Sequence, residues 1–322
     1  MDVKKGTGSG PYVKVGLRRQ PSQRPLPREL RRSIWADNIS VPPILHNVTA
    51  YASPGELLAI MGPSGAGKTT FLDLLAGREM SRFRGFQGSV KVNGRPRTGN
   101  FKDISGHSPS MPTFIGTLTV KETLDYAASL CIADTHTREV RVAGVIEDLR
   151  LERCLHNTIG TPLLKGISDG EKKRLAIALQ LLRSPSILIL DEPTSGLDTS
   201  SSRKVVSILR ALADRGYTIV VTIHSPDSKI YEQFDRLLML VDGRVQYFGS
   251  AQAAVECYEK ACKATIGLHQ NPAEFLFECA PAVREETVHR EPPCPEIALD
   301  PTVSLPAGRW EQHSSSSSPS PF

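Results

Sequence analysis

The chain has 322 residues, 39% of them hydrophobic, which is enough to bury one substantial core, and it carries a formal net charge of +5. No run of residues approaches the roughly 20 consecutive apolar positions of a membrane-spanning helix, and residues 1–20 lack the apolar stretch of a secretory signal. These features argue against an integral membrane segment and a secreted protein. They predict a chain that is soluble by itself, whose six cysteines, with no CxxC pair, are reduced thiols.

The two ends of the chain differ in composition from its middle. Residues 1–33 contain nine lysines and arginines against two acidic residues, with Pro, Ser and Gly between them, which predicts a disordered basic tail. This tail either binds an anionic membrane surface or serves only to solubilise. Nucleic acid is disfavoured, because the tail lacks a pattern of interleaved aromatic residues. Residues 281–322 are Pro-rich and contain five consecutive serines, which predicts a second disordered tail and leaves 34–280 as the folded domain.

The first predicted strands precede a turn. Trp35, Ile39 and Val41 fall on one face of an alternating pattern, and residues 44–50 form a second short β pattern. A turn at 53–55 leads into the apolar run 57–61. Residues 88–94 predict another strand that ends in an Asn-Gly turn. These pieces predict a small antiparallel sheet beside the main core.

The apolar run 57–61 is followed at once by GPSGAGKT, which matches the phosphate-binding pattern G-x-x-x-x-G-K-[ST] at every fixed position. Its glycines allow the loop to curl so that backbone N–H groups point at phosphate oxygens, and the helix that follows adds its positive dipole end. Lys68 is predicted to reach the β- and γ-phosphates, and the Thr69 hydroxyl to bind Mg²⁺. The residues predicted to hold the triphosphate are Gly62, Pro63, Ser64, Gly65, Ala66, Gly67, Lys68, Thr69 and Thr70.

Helices and buried strands alternate in the second half. Residues 119–122 and 168–171 each have the capping-box form S/T-x-x-E, which predicts two helix N-termini, the second helix running to residue 182. Residues 140–151 and 203–213 have helical apolar spacing. The unbroken apolar runs 186–190 and 217–223 are typical of parallel strands buried on both faces. Residues 237–241 and 244–248 flank an Asp-Gly pair, which predicts a hairpin.

Three polar residues follow these buried strands. Asp191 ends one strand and is predicted to hold Mg²⁺, while Glu192, next to it, is predicted to be the general base that orients the attacking water. His224 ends the next strand, where an imidazole donates to the γ-phosphate. Lys68, Glu192 and His224 are therefore the candidate catalytic residues. Structural alternatives exist for two of them: an acidic helix cap at 191–192 and a core histidine at 224.

Taken together, these motifs resemble the nucleotide-binding domain of an ABC transporter, and more narrowly that of the G (white/pleiotropic drug resistance) subfamily. The resemblance covers about residues 35–280. Residues 271–275 (NPAEF) are similar to a motif that this subfamily carries at the end of its nucleotide-binding domain. The other segments that carry it are 44–48, 54–70, 116–124, 166–168, 170–174, 187–198, 222–224 and 234–235.

The resemblance implies an α/β P-loop NTPase fold with a parallel RecA-like core, an antiparallel β subdomain and a helical subdomain that carries the signature. It implies that two such domains sandwich ATP and Mg²⁺ between the phosphate loop of one and the signature loop of the other, here Ser168 and Gly170. The implied partners are a second ABC nucleotide-binding domain, in a homo- or heterodimer, and a transmembrane domain in cis or in trans. The implied location is the cytoplasmic face of a membrane.

Members of this subfamily usually continue into a six-helix membrane domain, and this sequence does not. A natural short form, a separately encoded half and an incomplete copy all remain open. An adenine-stacking role for Trp35 also remains open, although a core position is the favoured interpretation.

Two departures from the family pattern bear on activity. Asp169 replaces the first glycine of the family's S-G-G-E/Q signature, where a carboxylate is expected to repel the partner's γ-phosphate and weaken that site. The glutamine that the family carries before the 119–122 segment falls on Ser110, and residues 107–113 contain no glutamine, which argues against full hydrolysis or coupling.

The sequence therefore favours an ATP-binding and ATP-hydrolysing subunit or domain of a G-type exporter that drives transmembrane transport. The alternative is a non-hydrolysing nucleotide-binding regulator or truncated form. A ribosome- or DNA-acting ABC ATPase is disfavoured by the lack of a second phosphate loop, and a GTPase by the lack of an Asn-Lys-x-Asp motif.

Overall fold

The computed structural model describes residues 13–16, 44–78, 88–161, 163–268, 270–283 and 289–290. Two sheets and a set of helices are built from these residues. The strands, in chain order, are β1 (Val13–Gly16), β2 (Thr49–Ala52), β3 (Leu57–Met61), β4 (Ser89–Val92), β5 (Arg95–Pro96), β6 (Ser105–Ser108), β7 (Ile187–Leu190), β8 (Thr218–Thr222), β9 (Arg236–Val241), β10 (Arg244–Ser250) and β11 (His289–Arg290). The α-helices are α1 (Lys68–Ala76), α2 (Phe101–Ile104), α3 (Val120–Cys131), α4 (Thr135–Leu149), α5 (Asp169–Leu181), α6 (Thr199–Asp214), α7 (Ser228–Tyr231), α8 (Ala251–Cys262) and α9 (Pro272–Cys279).

The larger sheet has the strand order β11-β10-β9-β3-β8-β7-β6, and its strands from β9 to β6 run parallel. Every residue of β3, β7 and β8 is buried, which confirms the prediction of parallel strands covered on both faces. Successive residues of β3 enter opposite cores: Ala59 packs with the core that includes α3 to α6, and Ile60 packs with the core that includes α1.

The hairpin between β9 and β10 is antiparallel, as predicted. Asp242 has φ 47° and Gly243 has φ 72°, the two positive values of a two-residue turn that matches the twist of its strands. The mixed α/β architecture with a parallel core is confirmed.

The smaller, antiparallel sheet has the order β2-β1-β4-β5, and it corrects one prediction. Residues 13–16 belong to the tail predicted to be disordered, yet they form β1, which pairs with both β2 and β4. Without β1, β2 would have no partner strand in this sheet and β4 would have an unpaired edge. Main-chain pairing on both sides stabilises β1, although its sequence flanks are basic.

Several predicted segments have different bounds or fall outside the described residues. The second strand covers 49–52 rather than 44–50, and residues 289–290 of the predicted C-terminal tail pair with β10. Most of both predicted tails, together with Trp35, Ile39 and Val41, lies outside the described residues. The 34–280 boundary stays a prediction.

Both capping boxes are confirmed at the start of α3 and α5. Glu122 N–H donates to the Thr119 hydroxyl while the Glu122 carboxylate accepts from Thr119, and Ser168 and Glu171 make the same exchange. α3, α4 and α5 pack against one another and form the helical subdomain. α6 begins at residue 199, before the predicted start at 203, because the Asp198 carboxylate accepts from the first free N–H groups of the helix. In the described part of the chain, no helix has the length and apolar content needed to cross a bilayer.

A buried histidine in β6 makes the stability of the fold dependent on pH. Burial, together with the nearby Arg78 charge, lowers the pKa of His107 to about 4, although Asp191 acts in the opposite direction. The nearest carboxylate oxygen, on Asp73, is 3.9 Å from His107 Nε2. Because the unfolded chain takes up this proton near pH 6.5, the free energy of unfolding is undiminished above that pH and falls as the pH decreases toward 4.

We expect the low pKa of this histidine to decrease the free energy of unfolding by roughly 2 to 3 kcal/mol between pH 7.5 and pH 4.5. Urea unfolding of the wild type and of His107→Leu at both pH values measures the effect, and the variant should lose that part of the pH dependence. His156→Leu, at an exposed position, is the control. An equal pH dependence in wild type and His107→Leu would contradict the assignment.

Candidate functional site

Three predicted site segments meet at the carboxyl edge of the parallel sheet. The phosphate loop follows β3, Asp191 and Glu192 follow β7, and His224 comes shortly after β8, which lies between β3 and β7. The edge outside the carboxyl ends of parallel strands is where open α/β sheets bind ligands. Residues separated by more than 100 positions are therefore brought together.

The phosphate loop, residues 62–67, is shaped by glycines at two crowded positions. A Cβ at Gly62 would lie 2.1 Å from the Leu240 carbonyl oxygen in β9, so only glycine fits there. Gly67 has φ 91° and is the N-terminal cap of α1. Pro63, Ser64 and Gly65 are exposed and Ala66 is buried, so the outer turn of the loop is open to a ligand.

Lys68, the first residue of α1, lies over this loop. Its Nζ donates to the carbonyl oxygens of Gly62 and Pro63 at 2.8 and 3.0 Å, and only 7% of the residue is exposed. Burial lowers the pKa of Lys68, while the carboxylates of Glu192 and Asp191 oppose this shift. The ammonium group is thus held inside the loop beside two acidic groups, where it complements an anionic ligand.

Thr69 and Asp191 form an oxygen donor set for a hard cation. The Thr69 hydroxyl lies 3.3 and 3.4 Å from the two carboxylate oxygens of Asp191, which is 7% exposed. Mg²⁺ prefers oxygen ligands and completes its coordination with water and phosphate oxygens, so one hydroxyl and one carboxylate beside a phosphate loop fit this ion. Thr70, the next residue, lies partly buried in the first turn of α1.

Thr222, the last residue of β8, connects the two acidic residues. Its hydroxyl donates to Asp191 Oδ1 at 2.6 Å and accepts from the Glu192 N–H at 2.8 Å. Glu192 has φ 43°, a backbone conformation that costs about 1 to 3 kcal/mol for a residue with a side chain. Sequence motifs alone assign no individual role to Thr222, because its position between β3 and β7 depends on the strand order.

His224 is exposed after β8 and is held by contacts outside the sheet. Its Nδ1 lies 3.3 Å from the Ser225 hydroxyl, and its ring packs against Phe277 of α9 with the centroids 6.1 Å apart. The Asn271 side chain donates to the Pro226 carbonyl at 2.8 Å, which ties the start of α9 to this loop. The NPAEF segment therefore lies next to His224.

Ser168 and Gly170 lie at the start of α5 in the helical subdomain, away from this cluster. In the described ranges, no hydrogen bond or ion pair joins either residue to the phosphate loop. Asp169 is exposed, with 74% of its side chain accessible, and pairs with Lys172 at 3.4 Å. A single chain thus brings together Lys68, Thr69, Asp191 and Glu192, but not the predicted signature residues.

Comparisons with known proteins point to one protein family. A family model described as "ABC transporter" matches residues 45–195. The chain is 42% identical over 255 residues to ABC transporter G family member 14 of Arabidopsis thaliana, covering 77% of this chain and 39% of that protein. It is 40% identical over 238 residues to the broad substrate specificity ATP-binding cassette transporter ABCG2 of Bos taurus, covering 73% of this chain and 36% of that protein.

Solved structures show the same fold. An ATP-binding subunit of an ABC transporter superposes with a TM-score of 0.58 at 24% identity, covering 76% of this chain and 95% of that one. The ADP conformation of an ATP-binding cassette of an ABC transporter superposes with a TM-score of 0.56 at 18% identity, covering 66% of this chain and 89% of that one.

The chain spans less than half the length of these curated relatives. The shared part includes the phosphate loop and the acidic residues after β7. This chain therefore contains a nucleotide-binding domain of the ABC transporter family, of the G-subfamily type.

Proposed function

We propose that this chain binds and hydrolyses Mg·ATP as the nucleotide-binding part of a G-type ABC exporter, dimerising around ATP to drive transport across a membrane. One observation carries the proposal: the buried Lys68 ammonium, the Thr69–Asp191 oxygen pair and the Thr222 link to Glu192 occur together at one sheet edge. Each group has the chemistry that phosphoryl transfer requires.

Binding begins with the triphosphate in the loop. The ammonium of Lys68 exchanges the neutral carbonyl oxygens of Gly62 and Pro63 for charged phosphate oxygens, so that donor and acceptor both carry charge. The N-terminal N–H groups of α1 point at the same place. Thr69 and Asp191 would hold Mg²⁺, which would supply positive charge to neutralise the phosphate oxygens.

Hydrolysis needs a base beside the γ-phosphate, and Glu192 supplies it. Its carboxylate takes a proton from water as the water oxygen bonds to the γ-phosphorus and the bond from that phosphorus to the β,γ-bridging oxygen breaks, which gives ADP and phosphate. His224 donates a hydrogen bond to the γ-phosphate. With its Nδ1 engaged by Ser225, the ring presents Nε2 as its second hydrogen-bonding atom.

A second nucleotide-binding domain completes each site. The signature residues Ser168 and Gly170 lie away from the chain's own phosphate loop, so we assign them to the ATP held by a partner domain, in a homo- or heterodimer. Exposed apolar residues in the 111–115 loop and on α3 support contact with a transmembrane domain, in cis or in trans, at the cytoplasmic face of a membrane. These residues are Met111, Ile115, Tyr126 and Leu130.

A second candidate function is a non-hydrolysing nucleotide-binding regulator. The exposed Asp169 carboxylate at the N-terminus of α5 favours it, because this is the place where a partner's γ-phosphate would approach. Steady-state turnover of Mg·ATP by the full chain, alone and with a G-type partner domain, separates the two candidates. Saturable turnover supports the transporter ATPase, whereas retained ATP binding with no turnover under either condition supports the regulator.

Asp169→Gly should raise ATP turnover in a reconstituted dimer. A carboxylate about 5 Å from the γ-phosphate opposes its charge by about 3 kcal/mol at an effective dielectric of about 20, and salt and Lys172 reduce this penalty. We therefore expect an increase of about tenfold. Asp134→Gly, which removes an N-terminal cap from α4 instead, is the control. No rise for Asp169→Gly would show that this carboxylate does not face the phosphate.

A further inference from the structure

Lys173 of α5 joins three separate parts of the site. Its Nζ donates to the Ser110 carbonyl oxygen at 2.5 Å and to the Glu192 carbonyl oxygen at 3.0 Å. Ser110 follows β6 and Glu192 follows β7, so one ammonium group ties the signature helix to two segments at the carboxyl edge of the sheet. Its neighbour Lys172 instead pairs with Asp169 on the same helix.

The Lys173 ammonium bonds the backbone of Glu192, the site residue with the strained conformation. Glu192, with its positive φ, has its N–H fixed by Thr222 and its carbonyl oxygen fixed by Lys173 and by the Ser195 N–H at 3.2 Å. A sparsely populated backbone conformation persists only where its surroundings determine it. Lys173 is the one of these three partners that comes from the helical subdomain.

The Lys173 ammonium also compensates for the absence of a glutamine at position 110. The glutamine expected at position 110 is replaced by serine, whose side chain is too short to reach across the site. In this chain the long Lys173 side chain of α5 reaches the loop instead and donates to the Ser110 carbonyl oxygen. Lys173 is partly buried, and burial lowers its pKa while the Glu192 and Asp191 carboxylates oppose the shift.

We propose that Lys173 is a positioning residue for ATP hydrolysis, which holds Glu192 in its catalytic orientation and couples that orientation to the placement of the signature helix. The inference rests on the proposed function of Glu192 as the base. Lys173 does not contact the phosphate loop through these bonds, so its loss should affect the chemical step and leave nucleotide affinity intact.

Kinetics of Lys173→Met and Lys173→Arg test the first half of the proposal. In the full chain, Lys173→Met should lower kcat for ATP between tenfold and a hundredfold, because small displacements of a catalytic group have effects of that size. The Kd for Mg·ATP should change less than about twofold. Lys173→Arg keeps donors that reach both carbonyls and should recover most of kcat. Lys121→Met removes an ammonium whose one partner among the described residues is Asp125 on its own helix, and it should change neither constant.

Amide hydrogen exchange without nucleotide tests the second half and does not depend on turnover. Exchange in residues 109–116 and 192–196 should be faster in Lys173→Met than in wild type or Lys121→Met, while the rest of the sheet is unchanged. Unchanged exchange in both segments, or a kcat equal to wild type in Lys173→Met, overturns the proposal. A wild-type chain that binds ATP without turnover, both alone and with a G-type partner domain, refutes the proposed ATPase instead, and exchange then still decides whether Lys173 holds Glu192.

Discussion

Lys68→Ala should weaken binding of Mg·ATP by at least about a hundredfold. Lys68 is 7% exposed, and its ammonium group already lies inside the phosphate loop, within 3.0 Å of two loop carbonyls. Alanine leaves the phosphates without this charge, and the loss of a partly buried charge-assisted contact costs about 3 kcal/mol. Binding of a fluorescent ATP analogue, measured by anisotropy in the presence of Mg²⁺, gives the affinity of each variant.

Lys102→Ala is the matched control, because Lys102 is an exposed lysine on α2. It should bind nucleotide as the wild type does. If Lys68→Ala retained wild-type affinity, the phosphate loop would not be the nucleotide site. An equal loss of nucleotide affinity in both variants would mean that the net positive charge of the chain, rather than the Lys68 ammonium, supports binding.

Glu192→Gln should separate binding from hydrolysis. Glutamine keeps the shape of the side chain but cannot accept the proton of the attacking water, and a general base accounts for about a hundredfold to ten-thousandfold of rate. We expect turnover to fall by that factor while affinity for Mg·ATP stays within about twofold. With hydrolysis blocked, ATP should also increase the dimer fraction, which sedimentation velocity measures.

Glu256→Gln, at an exposed position of α8, controls for the loss of a negative charge. Unchanged turnover in Glu192→Gln would move the role of base to another residue. A large loss of nucleotide affinity in Glu192→Gln would mean instead that this carboxylate is needed for nucleotide binding.

Local sequence signals predicted those parts of the fold that depend on neighbours in the chain. The capping boxes at Thr119 and Ser168 formed as expected because each needs only four consecutive residues. The runs 186–190 and 217–223 became buried strands because no exposed face would accept so many apolar side chains. β1 was missed because pairing with β2 and β4, far along the chain, stabilises it.

The sequence motifs of the candidate site were predictable, but the hydrogen bonds between its segments were not. Lys68, Thr69, Asp191 and Glu192 each stand in a recognisable pattern at the end of a strand. The Thr222 hydroxyl and the Lys173 ammonium lie in segments that resemble the family, yet no pattern assigns either group a role, because these roles depend on which strands are adjacent and on how α5 packs beside the sheet. Such contacts follow from tertiary structure, and local propensity carries no information about them.

The loop between β3 and α1 is the proposed binding site for a magnesium-bound adenine nucleotide. Isothermal titration calorimetry of the full chain with Mg·ATP measures this binding. We expect saturable binding of one nucleotide per chain, which weakens when Mg²⁺ is chelated and is lost in Lys68→Ala. An absence of saturable heat with the folded wild-type chain, or a binding curve identical in Lys68→Ala, would show that this loop is not the nucleotide site.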